Sequence, residues 1–255
     1  MSLARDRVGA LLRRAEELIE EARRTDYAMP TVLPFVPAIL SPIAVLALLL
    51  GLLTAATTRG LRGGGLLLVG VVLLVVAALL GFYVVYRWIR RRNEHFRRSL
   101  ALFEVVTEVA ELLNLGRAPL VRSRLNELRE VNSRVRDAVA NTILIVVPLY
   151  MYYVFHFLNK DFHRHSERER LLLAELVDEL RGRVPTFIRR VDEFATVPER
   201  STFLYLILTI VTAGLFLLYW VYTLTKDPNK HFESHGVIER DILVALRELY
   251  LKAQP

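Results

Sequence analysis

Histidines are the residues of this chain whose type and spacing could do chemistry. All six lie at or just beyond the ends of strongly apolar segments: His95, His156, His163, His165, His231 and His235. His231, His235 and Glu239 are spaced four residues apart, so a helix would place them on one face. His165 and Glu169 repeat half of that pattern. Imidazole and carboxylate groups presented in this way are ligands that transition metals favour.

Two interpretations of these histidines stay open. The one we favour is structural: an asparagine caps each following helix, while His and Tyr side chains form hydrogen bonds at the membrane interface. The first copy of the pattern has Ser99 in place of the second histidine, and the sequence contains no His-Glu-x2-His motif. We therefore expect no metal and no other cofactor. The alternative is a metal site built from His165, Glu169, His231, His235 and Glu239.

An internal repeat carries the histidines. After the second, third and fourth apolar segments the chain shows one junction pattern, in which a Tyr is followed by an Asn and then by a Phe at fixed spacing. The junction residues are Tyr86, Asn93, His95 and Phe96; Tyr152, Asn159, Asp161 and Phe162; and Tyr222, Asn229, His231 and Phe232. Each junction leads into an amphipathic helix. Repeats of one supersecondary unit usually bury their faces against each other.

Four windows contain no Asp, Glu, Lys or Arg, and they are 28, 24, 22 and 25 residues long: 31–58, 63–86, 138–159 and 201–225. About 20 apolar residues suffice for a helix to cross roughly 30 Å of hydrocarbon. Backbone groups find no water in lipid, so segments within it should be helical. The sequence therefore predicts an all-α, multi-pass membrane protein with four apolar helical segments that alternate with amphipathic surface helices.

This pattern also predicts the division of the chain into seven parts. They are an N-terminal amphipathic helix (1–28), a transmembrane hairpin (29–92), a polar helical region (93–137), the third apolar segment (138–158), a second polar helical region (159–200), the fourth apolar segment (201–225) and a C-terminal amphipathic helix (226–255).

The matching junctions conflict with four simple crossings. If every window crosses once, the junction after the third segment faces the side opposite the other two. Pro148 lies near the middle of the third segment, and Thr212 and Gly214 lie at the middle of the fourth. Such breaks permit a re-entrant hairpin whose irregular backbone is covered by protein. We favour simple crossing and keep re-entry of both segments as the alternative.

Charge and cysteine content restrict the partners. The chain has a net charge of +7 and no cysteine, which excludes disulfides and thiol chemistry. The excess of positive charge is concentrated after the second apolar segment rather than along a continuous basic face, so we expect no nucleic-acid binding. Clustered juxtamembrane arginines indicate the cytoplasmic side, with both termini on that side. Anionic lipid contact is predicted for Arg90, Arg91, Arg92, Arg97 and Arg98.

The fourth apolar segment resembles a known family. Thr212-x-Gly214-x-Phe216, followed after two residues by Tyr219-Trp220, is similar to the Thr-x-Gly-x-aromatic-x2-Tyr-Trp segment of a widespread prokaryotic membrane-domain family of unknown function. The resemblance is limited to about residues 208–229. It implies a place in the cell membrane and nothing about a reaction.

Apolar stripes suggest how the polar regions pack. The N-terminal stripe predicts an amphipathic helix that lies against the rest of the protein. Two further stripes are Ile238, Ile242, Ala245, Leu246 and Leu249 in the last helix, and Leu172, Leu173, Leu176 and Leu180 after the third segment. Each must face lipid, another helix or another subunit.

Function is predicted mainly by exclusion. The sequence has no P-loop and no Gly-x-Ser-x-Gly motif, so we expect no enzyme. Ionisable residues usually mark ion pathways within membrane spans, and here only His156 lies in an apolar window. We therefore expect a structural, scaffolding or membrane-shaping protein that self-associates into a homo-oligomer. A small channel or carrier is the alternative.

Overall fold

The computed structural model describes residues 2–58, 61–147 and 149–253, and over these residues it contains helices and no strand. The α-helices are α1 (Ser2–Thr25), α2 (Phe35–Thr58), α3 (Leu61–Leu112), α4 (Ala118–Asn132), α5 (Ala138–Leu144), α6 (Tyr150–Arg183), α7 (Thr202–Val211) and α8 (Leu215–Lys252). A short 3-10 helix (Val191–Glu193) follows α6. The all-helical fold class is confirmed.

Helices α2 and α3 form a tight apolar hairpin. Within the described chain, α2 and α3 are the two helices long and apolar enough to cross a membrane. A Cβ atom built on Gly51 would lie 2.8 Å from the backbone nitrogen of Leu67, and one on Gly63 would lie 2.6 Å from the backbone nitrogen of Ala55. Glycine at these positions therefore lets the two backbones approach closely.

The third and fourth apolar segments are each broken near the middle. Helix α5 has 7 residues and α7 has 10, so α7 is about 15 Å long, roughly half of a hydrocarbon layer. The breaks contain left-handed backbone at Leu149 (φ 68°), Ala213 (φ 49°) and Gly214 (φ 92°). Gly214 adopts this conformation without a Cβ clash. Pro148, which was expected to break the third segment, lies outside the described residues.

Each break reverses the chain. Arg136, before α5, lies 3.0 Å from the Asp161 carboxylate on α6. Arg200, before α7, donates from Nε to Asp227 on α8 at 2.9 Å. Both ion pairs join residues that are equally far from the break, as an antiparallel hairpin requires. Four crossings are therefore not confirmed, and the third and fourth segments each form a helical hairpin.

The remaining helices pack into one bundle beside the apolar hairpins. Its core is formed by α1, α4 and the second halves of α3, α6 and α8. Val8, Leu12, Ala15 and Leu18 of α1 are buried in this core. The prediction that the N-terminal helix lies against the rest of the protein is confirmed.

The bundle core also covers the apolar stripes of α6 and α8. Leu172, Leu176, Ile242 and Leu246 are at most 2% exposed and belong to the same core cluster. Of the three alternatives that the sequence left for these stripes, contact with other helices is the one found. An amphipathic pattern shows that a stripe is covered but not by what, and here the cover is the chain itself.

We expect Ile242→Ala to lower the free energy of unfolding by about 2–5 kcal/mol, because the substitution leaves a cavity in a closely packed core. The matched control is Val244→Ala, since Val244 is 62% exposed on the same helix. Thermal denaturation in detergent, followed by circular dichroism, would compare the two variants. Equal melting temperatures would contradict the packing of α8 described above.

Candidate metal centre

Residues of all three junction helices meet in one buried cluster. Helix α3 contributes His95, α6 contributes His165 and Glu169, and α8 contributes His231 and His235. All five residues are fully buried, and one ligand atom from each lies within 4.8 Å of every other. Imidazole nitrogen and carboxylate oxygen are ligands for first-row transition metals.

The Nε2 atoms of the four histidines converge around the Glu169 carboxylate. Oε2 of Glu169 lies 2.9 Å from Nε2 of His235 and 3.2 Å from Nε2 of His231, while Oε1 lies 3.1 Å from Nε2 of His165. Nε2 of His95 lies 3.3 Å from Nε2 of His231. Ligands about 2.1 Å from a metal ion are about 3.4 Å apart in a tetrahedral arrangement. The observed separations therefore match a coordination sphere.

Each histidine has an oxygen acceptor beside its other ring nitrogen. The Nδ1 pairs are His95 with Asp26 Oδ1 (3.0 Å), His165 with Asn132 Oδ1 (2.8 Å), His231 with the Ala195 carbonyl (2.8 Å) and His235 with Glu239 Oε1 (2.6 Å). These acceptors favour the tautomer that carries its proton on Nδ1, which leaves a lone pair on Nε2. Carboxylates and carbonyls in this position are the usual outer partners of metal-bound histidines.

The inward lone pairs favour a cation at the centre of the cluster. With protons on Nδ1, no hydrogen bond can form between Nε2 of His95 and Nε2 of His231, although the atoms are 3.3 Å apart. Nε2 of His165 faces Oε1 of Glu169 at 3.1 Å, and with a proton on Nδ1 this contact also sets two acceptors against each other. Two lone pairs facing each other in a buried site repel, and a metal ion between them turns that repulsion into coordination.

The charges around the cluster lead to the same requirement. Arg98 donates from Nη1 to Glu239 at 2.7 Å and from Nη2 to Asp26 at 2.8 Å. The cluster therefore holds three buried carboxylates, those of Asp26, Glu169 and Glu239, and one guanidinium that contacts two of them. With neutral histidines, three negative charges and one positive charge leave a net charge of −2. Uncompensated buried charge costs several kcal/mol per ion, and one divalent cation would neutralise this site.

Burial sets the protonation of the ligands. It lowers the pKa of His95 to about 3 and the pKa of His165 to about 4, so both imidazoles are neutral at pH 7. Burial also acts on His235, but Glu169 and Glu239 outweigh it and raise the pKa of His235 to about 10. Without a metal, His235 therefore carries one compensating proton. A metal ion would displace that proton on binding.

The cluster contains four of the five residues of the metal site that the sequence left as the alternative. Glu239 is the exception, since it accepts from His235 and Arg98 instead of facing inward. His95 was predicted as a junction residue and was missed as a ligand. The available signal was its place in the junction pattern, which it shares with His231. Ser99 replaces a histidine and donates its hydroxyl hydrogen to Glu169.

The junction asparagines do not cap helices. Asn93 and Asn229 lie inside α3 and α8, which run unbroken through their junctions and leave no free end to cap. Asn93 donates to the carbonyl of Arg136 (2.6 Å) and accepts from its amide (3.2 Å). Asn229 holds Met29 in the same way, at 2.7 and 3.2 Å. Each asparagine therefore fastens its helix to the backbone that enters an apolar hairpin.

Phenylalanines separate the cluster from the apolar hairpins. Phe96 stacks on His165 with ring centroids 3.8 Å apart, and it packs against Phe162 at 5.3 Å. Phe162 in turn contacts Phe232 at 5.9 Å. The three rings, one from each junction, are buried and form an apolar floor. The junction tyrosines lie further out and are partly exposed: Tyr86, Tyr152 and Tyr222.

Three of the five juxtamembrane arginines point into the protein. Arg91 donates to Asn229 (2.8 Å), Arg92 lies 3.0 Å from Asp161, and Arg98 is held by the cluster carboxylates. The predicted anionic lipid contact is therefore wrong for Arg91, Arg92 and Arg98. Internal acceptors occupy these side chains. Arg90 and Arg97 remain on the surface, with Arg90 paired to Glu94.

Comparison with known proteins adds one match. The model of a domain of unknown function, DUF4234, matches residues 200–246. This segment comprises α7 and most of α8, and it includes His231, His235 and Glu239. The match agrees with the resemblance noted for residues 208–229 at the level of a domain of unknown function, and it covers a small part of the chain. No curated protein and no solved structure matches the chain.

We expect Arg98→Gln to lower the free energy of unfolding by about 3–5 kcal/mol, because Asp26 and Glu239 would lose the cation that pairs them. Arg97→Gln is the matched control, since Arg97 is adjacent in sequence and its side chain is exposed. Denaturation followed by circular dichroism measures both variants. A similar small effect of the two substitutions would show that Arg98 does not compensate the buried carboxylates.

Proposed function

We propose that this protein is a membrane-anchored metalloprotein that holds one divalent transition-metal ion between α3, α6 and α8. The observation that supports this best is the convergence of four imidazole Nε2 atoms and one carboxylate in a fully buried site. The net negative charge around the site and the four outer oxygen acceptors support the same proposal. The metal centre replaces scaffolding as our proposed function, because the stripe that suggested a partner is covered within one chain.

The donor set favours a particular class of ion. Four imidazole nitrogens suit iron, zinc, nickel or copper rather than magnesium or calcium, which prefer oxygen ligands. Both oxygens of Glu169 lie beside ligand nitrogens, so the five residues offer up to six donor atoms. Structural zinc sites use four. We therefore favour a six-coordinate ion such as ferrous iron.

The closed site argues for a structural or electron-transferring ion. Catalytic metal sites keep an open position for water or substrate. Here the five ligands are fully buried, and the phenylalanine floor covers one side. The expectation that the protein is not an enzyme is therefore kept as part of this proposal.

The anchor is proposed to be asymmetric. The α2–α3 hairpin crosses the cell membrane, while the α5–α6 and α7–α8 hairpins enter one leaflet and return. Their turns carry highly exposed apolar side chains, including Leu149 (76%) and Ile210 (78%), which suit contact with lipid. This arrangement places all three junctions, the bundle and both termini on one side of the membrane. The arginines near α3 favour the cytoplasmic side.

We expect the purified protein to contain about one transition-metal ion per chain and the His231→Ala, His235→Ala double variant to contain a background amount, because two of five ligands are lost. Elemental analysis by mass spectrometry measures the content. His156→Ala with His163→Ala is the matched control, since these two histidines contact Thr202 and the Val197 carbonyl outside the cluster.

The conservative variant Glu169→Gln should also lose most of the metal. It keeps the shape of the side chain, so retained helix content would show that the loss is not caused by unfolding. Wild-type protein that contains only background metal, and takes up neither ferrous iron nor zinc after anaerobic incubation, would disprove the proposed centre.

The topology can be tested with single cysteines, since the chain has none of its own. Cysteines placed at the exposed positions Arg97, Lys160 and Lys230 mark the three junctions, and one at Thr57 marks the far end of the α2–α3 hairpin. With a membrane-impermeant maleimide, we expect the first three to react from one side and Thr57→Cys from the other. Reaction of Lys160→Cys from the side opposite Lys230→Cys would contradict re-entry.

A further inference from the structure

A second site is formed where the middle junction faces the α7–α8 hairpin. A cavity of about 640 Å³ lies between α6 and the start of α7. It is lined by polar and charged residues of α6 and of the segment before α7 on one side, and by apolar residues of α7 on the other. No residue of the metal cluster lines this cavity.

The middle junction differs from the other two at its asparagine. Asn93 and Asn229 each hold a backbone amide and carbonyl, whereas Nδ2 of Asn159 has no hydrogen-bond partner among the described residues. Asn159 is only 6% exposed and lines the cavity. A buried amide donor without a partner is costly, so a ligand that accepts from it would be favoured.

The mouth of the cavity is positively charged. Lys160 and Arg164 line it, are exposed and have no ion-pair partner among the described residues. Arg200 also lines the cavity but pairs with Asp227, and Glu199 is the one acidic lining residue. The unpaired cations therefore outnumber the unpaired anion. This balance favours an anionic ligand at the end that holds Asn159.

The opposite wall is apolar and continuous with the anchor. Phe203 and Leu206 belong to α7, the first helix of the proposed re-entrant hairpin, and Phe203 is 73% exposed. A small soluble anion would leave this wall in contact with water. A molecule with an anionic head and an apolar tail would cover both parts of the cavity.

We propose that this cavity binds the phosphate group of an anionic membrane phospholipid. The amide of Asn159 donates to a phosphate oxygen, Lys160 and Arg164 pair with the negative charge, and an acyl chain lies along Phe203 and Leu206. The inference rests on the proposed membrane anchor, which the cysteine labelling tests separately. It does not depend on the metal centre.

The test uses the full-length protein, freed of lipid in detergent, and native mass spectrometry with short-chain phosphatidylglycerol. We expect the wild type to bind one lipid tightly. In the Lys160→Ala, Arg164→Ala double variant we expect the affinity to fall by about tenfold or more, because both phosphate-pairing cations are lost. The matched control is Arg97→Ala with Lys230→Ala. It removes two exposed cations elsewhere in the junctions and should bind as the wild type does.

Three outcomes would overturn the proposal. Equal weakening by both double variants would mean that binding follows total charge and not this cavity. Equal affinity for short-chain phosphatidylcholine would show that the site does not select anionic lipid. Competition by inorganic phosphate or glycerol 3-phosphate at the same affinity would identify a soluble phosphate compound as the ligand. An Asn159→Leu variant separates these cases further, since it should weaken phosphatidylglycerol binding while leaving both cations in place.

Discussion

Burial of carboxylates beside imidazoles is the constraint on which the rest of this structure depends. Asp26 approaches from just beyond the end of α1, Glu169 from α6 and Glu239 from α8. Arg98 compensates only part of their charge. Such a group is stable only when each polar atom is held in place and the remaining charge is neutralised. This explains why α3, α6 and α8 run without a break through their junctions: a break would release the side chains whose positions the cluster requires.

The same long helices connect two environments. Their first parts belong to apolar hairpins with exposed Leu, Ile and Val side chains, and their second parts belong to a bundle with its own core. The boundary is formed by the three junction phenylalanines and by Asn93 and Asn229, which bond the backbone of the incoming chain. The Arg136–Asp161 and Arg200–Asp227 pairs close the open ends of the two hairpins at the same level. The cluster residues and the apolar hairpins are therefore joined by continuous helices rather than by loops.

The sequence predicted what depends on local pattern and failed where tertiary partners decide. Helicity, the α2–α3 hairpin and the one-face spacing of His231 and His235 follow from periodicity and composition. A window of 22 or 25 uncharged residues has the same composition whether it crosses or turns back, so the reversals at Leu149 and Gly214 could not be assigned. His95 was missed as a cluster residue because its contact with the histidines of α6 and α8 depends on the packing of the three helices. Arg91 was misplaced because only the fold reveals its internal acceptors.

The three junctions differ at a few residues, and these differences give them different contacts. Two positions of the junction pattern carry the cluster histidines: 95, 161 and 231 in the three copies, and 99, 165 and 235 four residues later. Histidine at all six would bring together more imidazoles than one ion can bind beside a carboxylate. Ser99 replaces one and orients Glu169, while Asp161 replaces another and closes a hairpin through Arg136. Asn159, in the same junction as Asp161, is the asparagine that holds no backbone and faces a cavity. This junction contributes one histidine, His165, to the cluster, and its asparagine lines the cavity that we propose binds a lipid phosphate.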